Sequence, residues 1–264
     1  MRKYWQYFKI NLASGFEYRG VLVVYFLAEL IILTTSLFLW SAIYRGRELV
    51  GDYSFFRMAL YFLLVPFVGT ITSVFLSDSL TWKIKDGEIS MEIIKPYNFS
   101  FAQFFRPLAE KIAQQSFKLP LFFIFLVFLY KFFQTEFNPG MFLFGLTICV
   151  FSYVLNFFLD LCICYAAFWL DDVWALGLLK MAALMVFGGL AFPLDLVPIS
   201  FRFLFDFLPF QFTYFFPIKV IQGTLSFNEI FLKLLLLFGW TILFLFLSKV
   251  LWDKGLKKYG AYGN

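Results

Sequence analysis

The chain has 264 residues, 62% of them hydrophobic and 24% aromatic but only 15% charged, with a formal net charge of +5. Soluble domains run near about 45–50% apolar and about 25% charged, so this composition excludes a water-soluble fold and predicts an integral membrane protein, whose spans can be apolar all round. Histidine is absent, which excludes a His general base, His-ligated zinc and the Ser-His-Asp triad.

In chain order, residues 1–20 place Tyr4, Trp5, Phe8, Leu12 and Phe16 at helical spacing, with Lys3, Lys9 and Asn11 elsewhere. That pattern predicts an amphipathic helix lying in the membrane interface. No short apolar stretch precedes a small-residue cleavage site, so it does not read as a cleavable signal. The first two spans are predicted at about 21–44 and about 55–76. A charged segment, 77–116, follows. It holds Lys83, Lys85, Asp86, Gly87 and Glu88, then Ile93 and Pro96, then an amphipathic stretch at 100–115. The Asp86-Gly87 turn signal and the Pro96 stop predict two short helices, then an interfacial helix running into the third span. The spacing of Ile89, Ile93 and Ile94 predicts a docking surface.

The third span is predicted at about 117–133 and the fourth at about 141–170, apolar apart from Asn156 and Asp160. At about 1.5 Å per residue the fourth could reach about 45 Å, so it is tilted, kinked or projects from the bilayer. It carries Cys149 and the pair Cys162 and Cys164, which read as reduced, structural thiols. The fifth and sixth spans are predicted at about 173–192 and about 230–251. Between them, 193–229 is apolar yet broken by Pro193, Pro198, Pro209 and Pro217. A re-entrant external hairpin accounts for it, since non-helical backbone at that depth must be covered by protein or line a wet cavity.

With the N-terminus inside, the inner segments hold 15 of the 22 Lys and Arg residues and the outer ones 7. This positive-inside balance predicts that both termini are cytoplasmic. No GxxxxGK[ST], HExxH, GxSxG or CxxC string occurs, so the chain carries no P-loop and none of these catalytic motifs. Glu29, Asp160 and Lys180 fall inside predicted spans, where charge is functional by default. If the fourth and fifth spans turn at Asp171-Asp172, Asp160 and Lys180 lie at similar depth and can pair. The alternative has Lys180 snorkelling to the interface and Asp160 facing water.

Several short strings fall in a recognisable order. They begin with Glu17-Tyr18-Arg19 and Trp40, then Ile84, Gly87 and Pro96, then Phe168-Trp169-Leu170 with Asp172. After these come Gly188-Gly189, Pro193-Leu194, Pro198, Leu208-Pro209-Phe210, Phe216-Pro217 and Gly223. Trp252, Gly255-Leu256, Tyr259 and Gly263 close the series. In this order the chain resembles an ABC transporter type 2 (ABC-2 family) permease of the bacterial six-span branch. The resemblance implies an all-α membrane protein of six transmembrane helices, with an N-terminal interfacial helix, cytoplasmic coupling helices and the external hairpin, in the bacterial cytoplasmic (inner) membrane. It implies a non-enzymatic subunit that pairs with a second permease, identical or related. Separate ABC ATPase subunits would bind ATP and Mg, and this chain would hold no cofactor of its own. Lys83, Lys85, Asp86, Gly87, Glu88, Ile93 and Pro96 would then couple to the ATPase. Export is the expected direction. The lack of an obvious polar stripe favours an amphipathic or hydrophobic cargo, although the many phenylalanines also suit plain lipid contact. No nucleic-acid partner is expected. Two other classes stay open: an ATP-independent secondary transporter or channel, which predicts internal repeats and a broken midplane helix, and a non-transporting membrane scaffold. Copurification with an ATPase separates them.

Overall fold

The apolar runs of the sequence become long helices in the computed structural model, which describes residues 2–17, 19–95, 98–133 and 138–261. Helix α1 is Arg2–Glu17, α2 Arg19–Ile43 and α3 Phe55–Thr72. Two short helices follow, α4 (Ser77–Lys85) and α5 (Ile89–Ile93), then α6 (Phe99–Phe133) and α7 (Pro139–Tyr165). Next come α8 (Trp174–Phe187), α9 (Ile199–Phe207), α10 (Phe215–Ile221) and α11 (Phe227–Ala261). A two-residue ribbon, β1 (Leu49–Val50) against β2 (Tyr53–Ser54), closes the α2–α3 turn.

Among the described residues, four stretches are long and apolar enough to cross a membrane: Gly20–Ile43, Phe55–Thr72, Pro139–Phe168 and Phe227–Tyr259. The other two expected spans take different forms. The third falls in the second half of α6, one continuous helix that also contains the expected interfacial stretch. The fifth, expected over 173–192, is only the 14 residues of α8, about 21 Å at 1.5 Å per residue against about 30 Å of hydrocarbon. Gly188 and Gly189 end it. Gly189 has φ +86°, and a Cβ there would lie 2.5 Å from the Tyr61 hydroxyl, so only glycine fits. Tyr61 of α3 donates its hydroxyl to Gly189 O at 2.6 Å.

Local chemistry sets the other ends. Asn138 accepts from Gly140 N and Met141 N, with Pro139 at the first position of α7, an N-cap followed by a residue whose missing N–H costs nothing there. Ser226 and Glu229 form a reciprocal capping box at the start of α11.

The helices pack around three apolar centres. One surrounds α3, with Tyr61, Phe62, Phe67 and Val68 against Trp40, Phe122, Phe142, Tyr214 and Phe215. A second lies at the opposite end of α7, where Leu80, Ile84, Ile89, Phe99, Phe157 and Phe168 meet Trp252 and Tyr259 of α11. The third joins α7, α10 and α11 through Ile148, Leu155, Phe212, Phe216, Ile230 and Leu237. Helix α1 lies across α6: Phe8 is buried, and the Tyr4 ring sits edge-on to Phe101, 4.8 Å between centroids. By contrast α2 and α11 leave rows of bulky apolar side chains uncovered, among them Ile31, Ile32, Phe38, Leu232, Ile242 and Phe246, a surface suited to lipid.

The four prolines of 193–229 punctuate a folded unit. Pro193 precedes a 3-10 turn at Leu194–Leu196, and Pro198 precedes α9. Pro209 opens a second 3-10 turn, and Pro217 occupies the first turn of α10, where a helix has no use for its N–H. All seven residues of α10 are buried, whereas α9 exposes Ile199, Phe201, Phe203 and Phe207. Asp195 ties the unit together: it accepts the Tyr53 hydroxyl at 2.7 Å and pairs with Lys219 at 2.8 Å and Arg202 at 3.1 Å.

Two of the short strings noted in the sequence touch. A Cβ on Gly255 of α11 would lie 2.1 Å from Phe168 Cδ2. Gly255→Ala should therefore overpack the contact and lower stability by about 1–3 kcal/mol, read as thermal unfolding of the purified protein in detergent. Gly239→Ala, where nothing lies within 4 Å, should be neutral or slightly stabilising.

Candidate functional site

Short helices α4 and α5 project from the end of the bundle where α7 stops. In α4, Leu80 and Ile84 are one turn apart and buried, while Trp82 is 64% exposed. Asp86 ends the helix and Gly87 turns the chain at φ +81°, a conformation natural only to glycine. Helix α5 then places Ile89 inward, fully buried, and Met91, Ile93 and Ile94 outward, at 74%, 45% and 83% exposure. The expected Ile89–Ile93–Ile94 face is thus divided: Ile89 anchors the segment, and Met91 takes its place on the outside. Lys85, Asp86 and Glu88 are exposed around this patch and Lys83 is half-buried. Lys83 lies 3.9 Å from Glu92, whose closer partner is Lys95 at 2.7 Å. Pro96 lies outside the described residues.

The segment is held from behind at two points. Tyr259 of α11 lies 3.0 Å, hydroxyl to hydroxyl, from Ser90 of α5. The stronger hold is the connection from α3. That helix stops at Thr72, and Ser73 to Leu76 run without helical structure although the sequence there is as apolar as what precedes it. Unwound backbone in such surroundings needs partners, and charged side chains supply them. Lys180 of α8 pairs with Asp160 Oδ1 of α7 at 2.6 Å, with side chains only 2% and 1% exposed. Lys180 also donates to Val74 O, and Asp160 Oδ2 accepts from Leu76 N. The Lys180 ammonium sits 4.7 Å from the Phe75 ring centroid. Asp160 and Lys180 therefore form a clamp closed on the α3–α4 connection.

A parallel set of contacts joins α6 to the same end of α3. Lys111 donates to Thr70 O (2.7 Å) and to Ser73 O, and Gln115 donates to Phe67 O at 2.9 Å. Thr70 O and Ser73 O are carbonyls that the end of α3 leaves without helical partners, whereas Phe67 O lies a turn earlier inside the helix. Burial, helped by nearby Lys180 and Lys118, pushes Lys111 down to about 7. Lys118 donates to Thr70 Oγ1 at 2.8 Å and pairs with Glu29 of α2 at 2.5 Å. Glu29 is thereby placed apart from the Asp160–Lys180 pair.

Helix α7 also carries a buried polar stripe, Ser152, Asn156 and Asp160, one residue per turn on a single face. Thr213, in the proline-rich unit, joins it: its hydroxyl meets Asn156 Oδ1 at 3.1 Å and its carbonyl accepts from Thr72 Oγ1 at 2.6 Å. The stripe therefore links that unit, α3 and the clamp inside one chain. The prolines Pro193, Pro198, Pro209 and Pro217 shape the unit and make no part of the clamp's hydrogen bonds. The sequence reading missed Lys111, Gln115 and Lys118, whose spacing of three to four residues along α6 marks one face, and the period-four stripe of α7. The three cysteines are unbridged, and no group of metal-binding side chains occurs among the described residues.

Removing one partner of a buried ion pair strands the other and costs about 3–5 kcal/mol. Asp160→Asn and Lys180→Met should each lose stability on that scale. The double variant should recover part of the loss, with a coupling energy above the roughly 0.5 kcal/mol expected of independent sites. Thermal unfolding of the four proteins in detergent measures the cycle; additive losses would show that the two side chains act separately.

A family model described as ABC-2 family transporter protein matches residues 30–263. No curated protein and no solved structure matches the chain.

Proposed function

Since this chain belongs to the ABC-2 family of transporter membrane proteins, we propose that it is the membrane-spanning permease subunit of an ATP-driven exporter. Two permease subunits, identical or related, would pair and engage two separate ATPase subunits, which hold ATP and Mg. The observation that carries this reading beyond family membership is the apolar patch of Trp82, Met91, Ile93 and Ile94. It is exposed, ringed by charge, and tied through the α3–α4 connection to the buried clamp. A water-facing patch of that kind marks a protein contact.

The coupling follows from what the patch is fastened to. A push from a closing ATPase on α4 and α5 moves the Ser73–Leu76 connection. That connection is bonded to Asp160 on α7 and Lys180 on α8, and Ser90 is bonded to the end of α11. Displacement of the patch is thus delivered to three helices as a rigid-body shift. The second half of α6 and α8 with its glycine-rich extension complete six crossings in this reading, and the proline-rich unit forms the external re-entrant hairpin. The Lys and Arg balance supports both termini on the cytoplasmic side, and the family supports a bacterial inner membrane as the place. In the polar stripe of α7, Asn156 and Asp160 are taken up by contacts within the chain, so an amphipathic or hydrophobic cargo still suits this subunit better than a hydrophilic solute.

Affinity-tagged protein taken from its native membrane in mild detergent should retain an ATP-hydrolysing subunit. Met91→Asp with Ile94→Asp should reduce that retention roughly tenfold or more, as loss of a central apolar contact of about 2 kcal/mol does. Gly87→Pro, which forbids the observed φ, should leave ATP hydrolysis but uncouple it from transport. Unchanged retention in the double variant would refute the docking assignment.

Orientation is tested by single cysteines in a background lacking the native three. Arg47→Cys and Phe203→Cys should react with an impermeant thiol reagent from outside, and Ser90→Cys and Lys257→Cys should not. The opposite pattern would reverse the topology.

A further inference from the structure

Where α1 meets α2, the chain leaves a cleft of about 490 Å³ against α6 and α4. Its lining divides by chemistry. Tyr7, Asn11 and Ser14 come from α1, Lys83 from α4, and Arg106, Glu110 and Gln114 from α6, while Val21, Leu22 and Tyr25 form an apolar wall on α2. That wall continues into the uncovered side of α2, where Val24, Ile31 and Ile32 are exposed. The cleft therefore has a polar head end and an apolar track leading from it along a membrane-crossing helix.

Charge at the head end is unbalanced. Lys83 and Arg106 carry two positive charges and Glu110 one negative. Arg106 meets Glu110 Oε1 through Nε at 3.2 Å, and among the described residues its two terminal amino groups have no partner, which leaves them for a bidentate contact of the kind guanidinium makes with phosphate. Lys83 is only loosely held, 3.9 Å from a carboxylate already paired more closely with Lys95. Asn11 gives one amide proton to Tyr7 O at 2.8 Å. Glu110, about half exposed, supplies acceptor oxygens for a hydroxyl.

We propose that this cleft binds the headgroup of an anionic glycerophospholipid. Lys83 and Arg106 hold the phosphodiester, Glu110 accepts from a headgroup hydroxyl, and the acyl chains follow the apolar wall of α2. The volume lies within the range of small-molecule sites. The net positive charge matches one phosphodiester, and basic pockets between helices at a membrane surface select such lipids. A free inorganic phosphate would satisfy the cations but leave Val21, Leu22 and Tyr25 with nothing to cover them. Because α1 and α2 are joined at this point and α4 contributes Lys83, a bound lipid would fasten the N-terminal helix to the segment that carries the exposed patch. The site needs no ATPase and stands or falls separately from the coupling reading.

The test uses the full-length protein purified in a neutral detergent, with native mass spectrometry to count retained lipid. Dihexanoyl phosphatidylglycerol, dihexanoyl phosphatidylcholine and inorganic phosphate are the probes. Wild-type protein should retain phosphatidylglycerol in preference to both others. Lys83→Gln with Arg106→Gln should erase that preference, a drop of roughly tenfold or more for two lost basic contacts. Ser14→Trp, which fills the cleft from an exposed position on α1 and keeps both cations, should do the same. Equal retention of phosphatidylcholine, equal binding of inorganic phosphate, or an undiminished preference in both variants would each overturn the proposal.

Discussion

Lys180 and Asp160 meet at 2.6 Å where both side chains are almost wholly buried, and the α3–α4 connection is built onto them. An isolated charge in such a place is far too costly to keep, and even a pair contributes little net stability against its desolvation. Its use here is hydrogen bonding. When α3 unwinds after Thr72, Val74 O and Leu76 N lose their helical partners, and the clamp supplies replacements. Lys111 does the same for Ser73 O and Thr70 O. Without these side chains the cheapest state of 73–76 is one more helical turn, which would carry α4 and the exposed patch to another position. The charges therefore fix where the chain leaves the bundle.

This arrangement explains why some of the architecture was legible in the sequence and some was not. Signals carried by neighbouring residues read correctly. Asp86-Gly87 ends α4 because the chain must pass through φ +81°. The short α5 and the prolines at 193, 198, 209 and 217 likewise mark breaks where they stand. The match in depth of Asp160 and Lys180 needed only the turn at Asp171-Asp172. The unwinding of 73–76 left no local trace, because its causes lie 84 and 106 residues away. Nothing in Ser73-Val74-Phe75-Leu76 alone distinguishes it from another helical turn.

Other misses had a signal that composition obscured. In α7, Ser152, Asn156 and Asp160 recur every four residues, but among so many phenylalanines and leucines they look like isolated exceptions. The same holds for Lys111, Gln115 and Lys118 on α6. In a membrane protein the informative period is that of the polar residues, since apolar ones face both lipid and core. The short α8 escaped for another reason. Its run stays apolar through Gly188-Gly189 to Phe192, but the helix ends at Phe187 and Gly189 takes φ +86° beside Tyr61 and Phe215.

The distribution of the two kinds of surface bears on how such a chain can move. The apolar exterior of α2 and α11 has no directional bonds, so lipid can exchange along it at little cost. The interior contacts are the reverse: the clamp, the Thr72–Thr213–Asn156 links and the Asp195 cluster are directional and have few alternative partners. Motion therefore falls between groups of helices rather than within them. Helices α3, α7 and α8, bonded to one another through the connection at 73–76, move together with whatever displaces α4. Helix α2 is joined to α6 by the Glu29–Lys118 pair and packs Trp40 against Phe62 of α3, while its outer side is apolar and uncovered. In the proposed coupling, a push at the exposed patch of α4 and α5 would displace the clamped group, and α2 would follow through Lys118, which bonds both Glu29 of α2 and Thr70 of α3.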